Sequence, residues 1–342
     1  MKHRLIWIFA SIVMICSCSS ETDTENSDVG NDARITMILS ISGQGDNGYN
    51  DLITEGVMRF YNSSGVSLSM QHPYTMDEAK EMLNRWLNTP SDSKELLVLS
   101  ADYADMADSE IHSLAANKKV LLFEAKDNDQ LPEGVSTFYI QRYGASYLSG
   151  CIASPHWAAT IVAAMPGSPT TEDAIQGFAD GYAKGGNKAE VYYLAEDASG
   201  YAMADSAYRY ASSLDDRFVF PLAGGSNSGI YKSSRESLFS TMLVVGMDVD
   251  CGAFSGRIPY SMVVHIDRIV ESYLTEWHQT GTMKRHQTYG LESGMIEVVL
   301  SSYFAEFSYI WVDYYRDYYY WENALKQYTD EAKEKEKAYE NK

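Results

Sequence analysis

Three carboxylates stand just beyond short apolar segments of this sequence, where side chains of a folded protein often meet a ligand. Asp46 lies beyond the first such segment, Glu124 directly follows the segment 120–123, and Asp248 follows the segment 242–246. A carboxylate in such a position can accept hydrogen bonds from two ligand donors, and a pair of carboxylates can act as general acid and base. Binding and catalysis both stay open on these residues alone.

Aromatic, amide and glycine residues accompany these carboxylates. A ring such as that of Tyr49 or Tyr201 can stack on a planar ligand group, an interaction worth roughly 1 to 3 kcal/mol per base in other proteins. Asn50 would bind polar ligand groups, and Gly225 would let the backbone approach a ligand closely. Each has a structural alternative, because tyrosines also pack on helices, Asp46 and Asn50 also cap helices, and glycine also serves turns.

The sequence contains no arrangement typical of an enzyme site or a metal centre. We find no Ser-His-Asp order, no phosphate loop of the Gly-x-x-x-x-Gly-Lys type and no metal-ligand spacing. His156, His265 and His286 are too dispersed to be nominated as metal ligands. We therefore predict no cofactor, no metal and no enzymatic activity, with an extracytoplasmic enzyme that uses cleft carboxylates as the alternative.

Composition narrows the class of protein further. The 342 residues include 47 acidic and 27 basic ones, for a net charge of −20. A charge of this sign argues against nucleic acid as a partner and against attraction to anionic lipid. Cys151 and Cys251 lie in the part expected to fold, and the sequence leaves open whether they form a disulfide or two separate buried thiols.

The N-terminal segment has the pattern of an export signal. Residues 2–4 are basic, residues 5–15 form an apolar run too short to span a membrane comfortably, and Cys18 follows a small residue. This pattern resembles the lipobox of bacterial lipoproteins, which implies a signal peptide over residues 1–17 and Cys18 as the lipid anchor. The polar, acidic residues 18–33 are predicted to form a flexible tether. An ordinary cleaved signal peptide is the alternative, and attachment on the periplasmic or the surface side stays open.

Short apolar segments alternate with amphipathic segments along the remaining chain. This alternation is typical of βα units that build parallel sheets covered on both faces, so we predict an α/β fold with two doubly wound three-layer lobes. The first lobe is predicted to contain strands over 35–40, 66–70, 96–100 and 120–123 and helices over 51–61, 76–86 and 104–116. The second is predicted to contain strands over 160–164, 191–194, 218–222 and 242–246 and helices over 171–184, 204–212 and 231–239.

This organisation predicts where a ligand binds. Parallel sheets bind ligands beyond the carboxyl ends of their strands, so two facing lobes form a cleft that a hinge can close. The predicted boundaries are 34–150 for the N-terminal lobe, 151–264 for the C-terminal lobe, and 265–300 for a crossover helix and a strand at 297–300 that returns to the first lobe. A dehydrogenase or a sugar-modifying enzyme would show the same alternation, so periodicity does not identify the function.

A set of motifs follows one another along the chain. Asp-Asn-Gly-Tyr-Asn at 46–50 is followed by Glu-Gly at 55–56, and glycine-containing stretches occur at 144–150, 177–181, 224–229, 245–250 and 290–294. In order and spacing these motifs resemble those of the basic membrane protein family, nucleoside-binding lipoproteins with a type I periplasmic-binding fold. The resemblance extends from about residue 35 to residue 300.

The resemblance implies a role for each candidate residue. Tyr49 and Tyr201, from opposite lobes, would clamp an aromatic base, and Glu124 stands where the family has an aspartate that reads the base edge. Asp248 would hold the two ribose hydroxyls. The resemblance further implies a monomer in the cell envelope, anchored to the membrane through its lipid, that binds a nucleoside-like small molecule and passes it to an ABC permease. The ligand-binding residues would be Asp46, Tyr49, Asn50, Glu124, Tyr201, Gly225 and Asp248.

Two positions depart from the family pattern. Val264 stands where the family has a lysine that helps to hold the sugar, and Met203 stands where the family tends to have an aspartate. The loss of polar contacts changes how a site discriminates between ligands. We therefore predict a nucleoside-like ligand that need not be a nucleoside, with a degenerate scaffold protein as a further alternative.

Residues 301–342 are predicted to form a helical tail beyond the family motifs. Residues 322–342 form a charged stretch that resembles a solvent-facing helix. The aromatic residues before it are predicted to pack on the body of the protein, and docking onto a partner is the alternative. Aromatic residues return at helical spacing at positions 304, 307, 311, 314, 315 and 318.

Overall fold

The computed structural model describes residues 33–125, 130–156, 158–215, 217–236, 242–301, 303–304 and 318–340. The predicted signal peptide, Cys18 and the tether up to residue 32 lie outside these ranges, as do the aromatic positions 307, 311, 314 and 315. Among the described helices, none combines the length and the apolar composition that crossing a bilayer requires.

The first lobe is built on a parallel sheet of six strands. These are β1 (Ala33–Ile38), β2 (Ser67–Gln71), β3 (Lys94–Leu99), β4 (Lys118–Leu122), β5 (Val135–Ile140) and β12 (His286–Tyr289), in the spatial order β12-β5-β4-β3-β1-β2. The helices α1 (Tyr49–Ser64), α2 (Met76–Asn88) and α3 (Ala104–Glu110) connect the first four strands. The strands and helices predicted here are confirmed, with α3 ending earlier than predicted.

A buried cation fixes the C-terminal end of α2. Lys118 is 3% exposed, and its Nζ donates hydrogen bonds to the carbonyl oxygens of Trp86 at 2.5 Å, Leu87 at 3.1 Å and Thr89 at 2.7 Å. The last carbonyl groups of a helix have no partner within the helix and carry partial negative charge. Lys118 therefore connects β4 to the C-terminal end of α2.

Replacing Lys118 with methionine is expected to lower the free energy of unfolding by about 2–4 kcal/mol, because it leaves buried carbonyl groups without their charged donor. Guanidinium denaturation measures this change. The control is Lys119→Met at the adjacent, partly exposed position, which should stay within about 0.5 kcal/mol of the wild type. Equal effects of the two substitutions would contradict the capping role.

The second lobe contains two sheets. The strands β6 (Ala159–Ala163), β7 (Glu190–Tyr193), β8 (Phe218–Leu222) and β9 (Leu243–Val244) form a parallel sheet in the order β7-β6-β8-β9. The strands β10 (Gly246–Asp248), β11 (Tyr260–Val264) and β13 (Ile296–Leu300) form the order β10-β11-β13. The predicted segment 242–246 is thus divided between β9 and β10. The helices α5 (Pro169–Tyr182), α6 (Ala204–Ala211) and α7 (Asn227–Glu236) lie between the strands.

Glycines bring the helix α4 (Tyr143–Ala153) close to α5. A Cβ atom added to Gly150 would lie 2.2 Å from the carbonyl oxygen of Phe178, and one added to Gly181 would lie 2.1 Å from the carbonyl oxygen of Tyr147. Only a residue without a Cβ allows backbones to approach so closely. The predicted lobe boundary at residue 150 therefore falls inside a helix that packs on the second lobe.

The chain passes between the lobes at three crossings: from β5 to α4, from β11 to α8 (Ile266–Thr280), and from β12 to β13. The strand that returns to the first sheet is β12, which pairs in parallel with β5. Because β13 pairs antiparallel with β11, the prediction that residues 297–300 return to the first lobe is wrong. A turn with Gly294 at φ 69° reverses the chain before β13, and an apolar segment does not by itself specify which sheet it joins.

The C-terminal helix α9 (Tyr318–Glu340) lies along α4. Trp321 is fully buried, and Phe304, a described member of the predicted aromatic face, is 1% exposed. The prediction that the charged stretch faces solvent is wrong at Glu336, which is 4% exposed because its carboxylate binds backbone N–H groups of the body.

The two cysteines of the folded part are separate thiols. Cys151 and Cys251 are both free and buried, which is one of the two alternatives that the sequence left open. Burial raises the pKa of Cys151 to about 12 and that of Cys251 to about 11. Both side chains therefore stay protonated at neutral pH and behave as small apolar groups.

Candidate functional site

The loop before α1 is held by aspartate side chains. Oδ1 of Asp46 accepts a hydrogen bond from the backbone N–H of Gly48 at 3.0 Å, and its Oδ2 accepts one from Asn50 at 3.0 Å. Asp51 accepts two further backbone N–H groups of the same loop. Asp46 thus holds the first turn of α1, the structural alternative recognised for it from the sequence.

Glu124 and Arg142 meet because they follow the carboxyl ends of the neighbouring parallel strands β4 and β5. Nη2 of Arg142 lies 2.7 Å from Oε1 of Glu124, and its Nη1 lies 3.2 Å from Oε2. The hydroxyl of Tyr49 donates to Oε1 at 3.0 Å, and the N–H of Ile140 donates to Oε2 at 3.2 Å. These four hydrogen bonds fill the acceptor positions of the Glu124 carboxylate.

This cluster is buried and electrostatically coupled. The side chains of Glu124 and Arg142 are 5% and 10% exposed. Burial by itself lowers the pKa of Arg142, but the neighbouring Glu124, Tyr49 and Asp248 outweigh burial and raise that pKa overall. Burial, and after it Glu124, raise the pKa of Tyr49 well above its usual value. Arg142 therefore stays charged and Tyr49 stays a hydrogen-bond donor at neutral pH.

Asp248 ends β10 in a left-handed backbone conformation with φ 68°. Its carboxylate faces the first turn of α1, since a Cβ atom added to Gly48 would lie 3.3 Å from Oδ2 of Asp248. The pKa of Asp248 is raised to about 6, chiefly by burial; Arg142 acts to lower it, and Asp46 and Glu124 add to the increase. Within the described part of the chain, no residue donates a hydrogen bond to this carboxylate. Asp248 therefore keeps its acceptor positions available.

The glycine-rich loop after β8 lies where the two lobes approach each other. Gly224 has φ 52°, and a Cβ atom added to it would lie 3.0 Å from Cδ1 of Tyr201, so the tyrosine ring packs against this loop. A Cβ atom added to Gly225 would lie 4.0 Å from Cβ of Asp46 in the first lobe. The lobes are therefore closed on each other along this edge of the cleft.

A cavity of about 180 Å³ lies beside these contacts, enough for several water molecules. The first lobe lines it with residues 46–48, and the second lobe lines it with Asp248 and with one side of α7. The α7 side chains include Asn227 and Ser228 near the start of the helix and Lys232 and Arg235 further along it. The cavity is thus lined by carboxylate, amide, hydroxyl and cationic side chains.

The seven predicted ligand-binding residues divide between this cavity and its surroundings. Asp46 and Asp248 line the cavity. Asn50 and Gly225 lie next to Asp46 but do not line the cavity, and Tyr201 packs on the loop at Gly224. The other two, Tyr49 and Glu124, belong to the ion-pair cluster with Arg142.

Arg142 and the polar side of α7 belong to the site but are not among the residues predicted from the sequence. The rule that selected Glu124, a charged residue just past an apolar strand, also selects Arg142 once β5 is assigned as the strand before it. Asn227 and Ser228 had a weaker signal, namely their place in the stretch 224–229 that opens a helix. The residue types at these positions do not indicate which residues they contact in the folded protein.

Burial in the core explains one of the two departures from the family pattern, Val264, and nothing in the structure explains the methionine at position 203. Val264 is 1% exposed and pairs with Ile296 across β11 and β13, so its side chain belongs to the core. The backbone N–H of Met203 donates to Oγ of Ser226 at 2.6 Å and so holds the glycine-rich loop. Neither side chain supplies a polar group to the cleft.

Two α/β lobes joined by three crossings and closed over a polar cavity have the type I periplasmic-binding fold. Residues 34–314 match the family model of PnrA-like substrate-binding proteins of ABC transporters, and the chain belongs to this family, as its motifs predicted. It is therefore a binding protein rather than an enzyme. Membership implies a small-molecule ligand, an ABC permease as partner and a location outside the cytoplasm.

Solved structures share this fold at low sequence identity. An ABC transporter solute-binding protein from Aeropyrum pernix K1 is similar with a TM-score of 0.67 and 16% identity, covering 87% of this chain and 86% of that one. A sugar transporter from Clostridium phytofermentans has a TM-score of 0.58 and 14% identity over 78% and 98% of the two chains. A transcriptional activator of the comK gene from Bacillus halodurans has a TM-score of 0.58 and 16% identity over 79% and 91%. No curated protein matches the sequence.

Proposed function

We propose that this protein is a lipid-anchored receptor that holds a nucleoside-like polar molecule between its lobes and passes it to an ABC permease. The observation that carries this proposal is Asp248, a carboxylate at the closed edge of the cleft that faces a cavity and accepts no hydrogen bond from the described residues. Asp248 is partly buried, and a carboxylate that has lost part of its hydration is stabilised when donors pair with it. Vicinal hydroxyls of a sugar would supply two such donors.

The aromatic part of the ligand would lie against Tyr49. The hydroxyl of Tyr49 is held by Glu124, and Glu124 is held by Arg142, so the ring has one orientation before a ligand arrives. A fixed ring costs little conformational entropy when a planar group stacks on it. With its acceptor positions filled, Glu124 acts here as a positioning residue for Tyr49 rather than as a reader of the base edge.

This cleft lacks two polar side chains of the family pattern, a lysine and an aspartate. Val264, in place of the lysine, lies in the core, and Met203, in place of the aspartate, carries no charge. A site with fewer donors depends more on ring stacking and on Asp248. This supports a nucleoside-like class of ligand rather than one particular nucleoside.

Thermal unfolding with a panel of purine and pyrimidine nucleosides, their free bases and ribose tests the proposal. Ligand that binds only the folded state adds about 2.7 kcal/mol of stability at one hundred times its Kd, which raises Tm by several degrees. We expect nucleosides to raise Tm more than either bases or ribose, because only they contact both Tyr49 and Asp248. Ribose alone shifting Tm as much as any nucleoside would contradict the aromatic half of the proposal, and no shift with any compound would contradict the whole.

The lipid anchor is tested separately, because it depends on the N-terminal residues. Palmitate labelling of growing cells should mark the wild-type protein and should be lost in Cys18→Ala. Labelling that persists in the variant would contradict the assignment of Cys18.

Native mass spectrometry of the purified wild-type protein reports whether the protein is the proposed monomer and whether a ligand co-purifies.

A further inference from the structure

The helix α9 lies beyond the residues that match the family, 34–314, and yet it contacts two of the three crossings between the lobes. Its residue Glu336 is 4% exposed. Oε1 of Glu336 accepts a hydrogen bond from the backbone N–H of Gly144 at 3.1 Å, and Oε2 accepts one from Leu291 at 2.8 Å. Gly144 is the second residue of α4, which begins just after β5, and Leu291 follows β12. One carboxylate therefore joins two segments that pass between the lobes.

The space for this carboxylate is made by two glycines. A Cβ atom added to Gly144 would lie 2.5 Å from Oε1 of Glu336, and one added to Gly290 would lie 2.3 Å from Oε2. At both positions the three nearest atoms all belong to Glu336. Any larger residue at either crossing would displace the carboxylate.

The rest of α9 is fastened to the second lobe independently of Glu336. The hydroxyl of Tyr339 donates to Oδ1 of Asp173 on α5 at 2.9 Å, and its ring stacks on that of Tyr143 with centroids 4.0 Å apart. Glu331 forms an ion pair with Lys184 at 2.6 Å. The helix thus has a fixed base from which Glu336 reaches the crossings.

We propose that α9 is a hinge strap, in which Glu336 holds the β5–α4 crossing and the β12–β13 crossing together and so limits how far the lobes open. Hinge closure requires backbone rotation at the residues that join the lobes. A carboxylate bound to an amide of each crossing couples the two rotations. Arg142 lies two residues before Gly144 and is held by Glu124, so the strapped segment also carries part of the candidate site. The inference does not depend on the identity of the ligand.

Hydrogen exchange and small-angle X-ray scattering on the ligand-free full-length protein test the strap. In Glu336→Gln, the side-chain amide would oppose one of the two N–H groups, so that hydrogen bond is lost without a change of size. We expect exchange in peptides covering residues 141–147 and 288–294 to accelerate about tenfold or more, with a larger radius of gyration, while peptides of α1 and α9 keep their wild-type exchange.

A second variant reaches the same contact from the opposite side. Gly290 has φ −108°, which alanine adopts freely, so Gly290→Ala disturbs chiefly Glu336 and should give the same pattern. The control is Glu334→Gln, an exposed residue of the same helix, which should match the wild type. Unchanged exchange at the crossings, acceleration confined to α9, acceleration spread over the whole chain, or an unchanged radius of gyration would each overturn the strap.

Discussion

Replacing Asp248 with asparagine is expected to stabilise the ligand-free protein and to remove most of its affinity for ligand. Burial raises the pKa of Asp248 to about 6, whereas an unfolded aspartate titrates near 3.9, so the folded protein holds the proton more tightly. The stability that this proton contributes is therefore full below about pH 4 and is lost as pH rises through about 6. Asparagine avoids that loss, and we expect a gain of about 1–2 kcal/mol at pH 7.5.

Ligand binding should change in the opposite direction. Removing the charged acceptor from a buried hydrogen-bonded pair costs about 2–5 kcal/mol of binding, or roughly thirty-fold to several thousand-fold in Kd. Titration calorimetry with the nucleoside that gives the largest Tm shift measures this loss. A ligand whose hydroxyls donate to the charged carboxylate should also bind more weakly to the wild type as pH falls below about 6.

The change in stability caused by Asp248 is obtained by comparing variants. Glu336 has a pKa raised to about 7, first by burial and then by Glu340 and Glu292, so the wild-type pH profile contains its contribution as well. The difference between the wild type and Asp248→Asn from pH 4 to pH 8 isolates Asp248. Asp250→Asn, at an exposed neighbouring position, is the control and should change neither property. An Asp248→Asn protein that is less stable than the wild type at pH 7.5, or that binds equally well, would remove Asp248 from the site.

Replacing Arg142 with methionine is expected to lower the free energy of unfolding by about 3–5 kcal/mol. The substitution leaves the Glu124 carboxylate buried, 5% exposed, with only the donors from Tyr49 and Ile140. A buried charge without its counter-ion is much less stable than the pair. Urea denaturation at pH 7.5 measures the loss.

A double variant separates this charge effect from a loss of packing. Adding Glu124→Gln to Arg142→Met removes the unpaired charge and keeps an acceptor for Tyr49, so more than half of the lost stability should return. Arg209→Met, the same change at an exposed position on α6, should stay within about 0.5 kcal/mol of the wild type. No recovery in the double variant would mean that the methionine side chain, and not the carboxylate, causes the loss.

The residues of the candidate site differ in how far sequence reasoning could reach them. Asp46 was recognised as either a ligand contact or a helix cap, and the cap is a contact within four residues that sequence patterns describe well. Glu124 was correctly placed at the end of a strand, but its partner Arg142 lies 18 residues away and became its neighbour only through the pairing of β4 with β5. The sequence therefore located the carboxylate and missed that its acceptor positions were already filled.

Two differences between the predicted and the observed structure have the same origin. The apolar pattern of residues 297–300 predicted a strand, but the choice between two sheets depended on the turn at Gly294 and on the edge that β11 left open. Glu336 belongs to a charged stretch that reads as solvent-facing, yet two glycines elsewhere in the chain make room for it. A buried charged side chain such as Glu336 can be recognised only once the residues that surround it in the folded protein are known.

Local patterns were sufficient for the α/β alternation, the approximate bounds of the strands and helices, the collinear family motifs and the cap on α1, because each depends on residues within a few positions of one another. Four other features arise from contacts between residues far apart in the sequence, up to 192 residues for Glu336 and Gly144. They are the filled acceptor positions of Glu124, the available acceptor positions of Asp248, the sheet that β13 joins and the strap from Glu336. Such contacts follow from how the lobes, crossings and α9 pack, and no periodicity in the sequence encodes them.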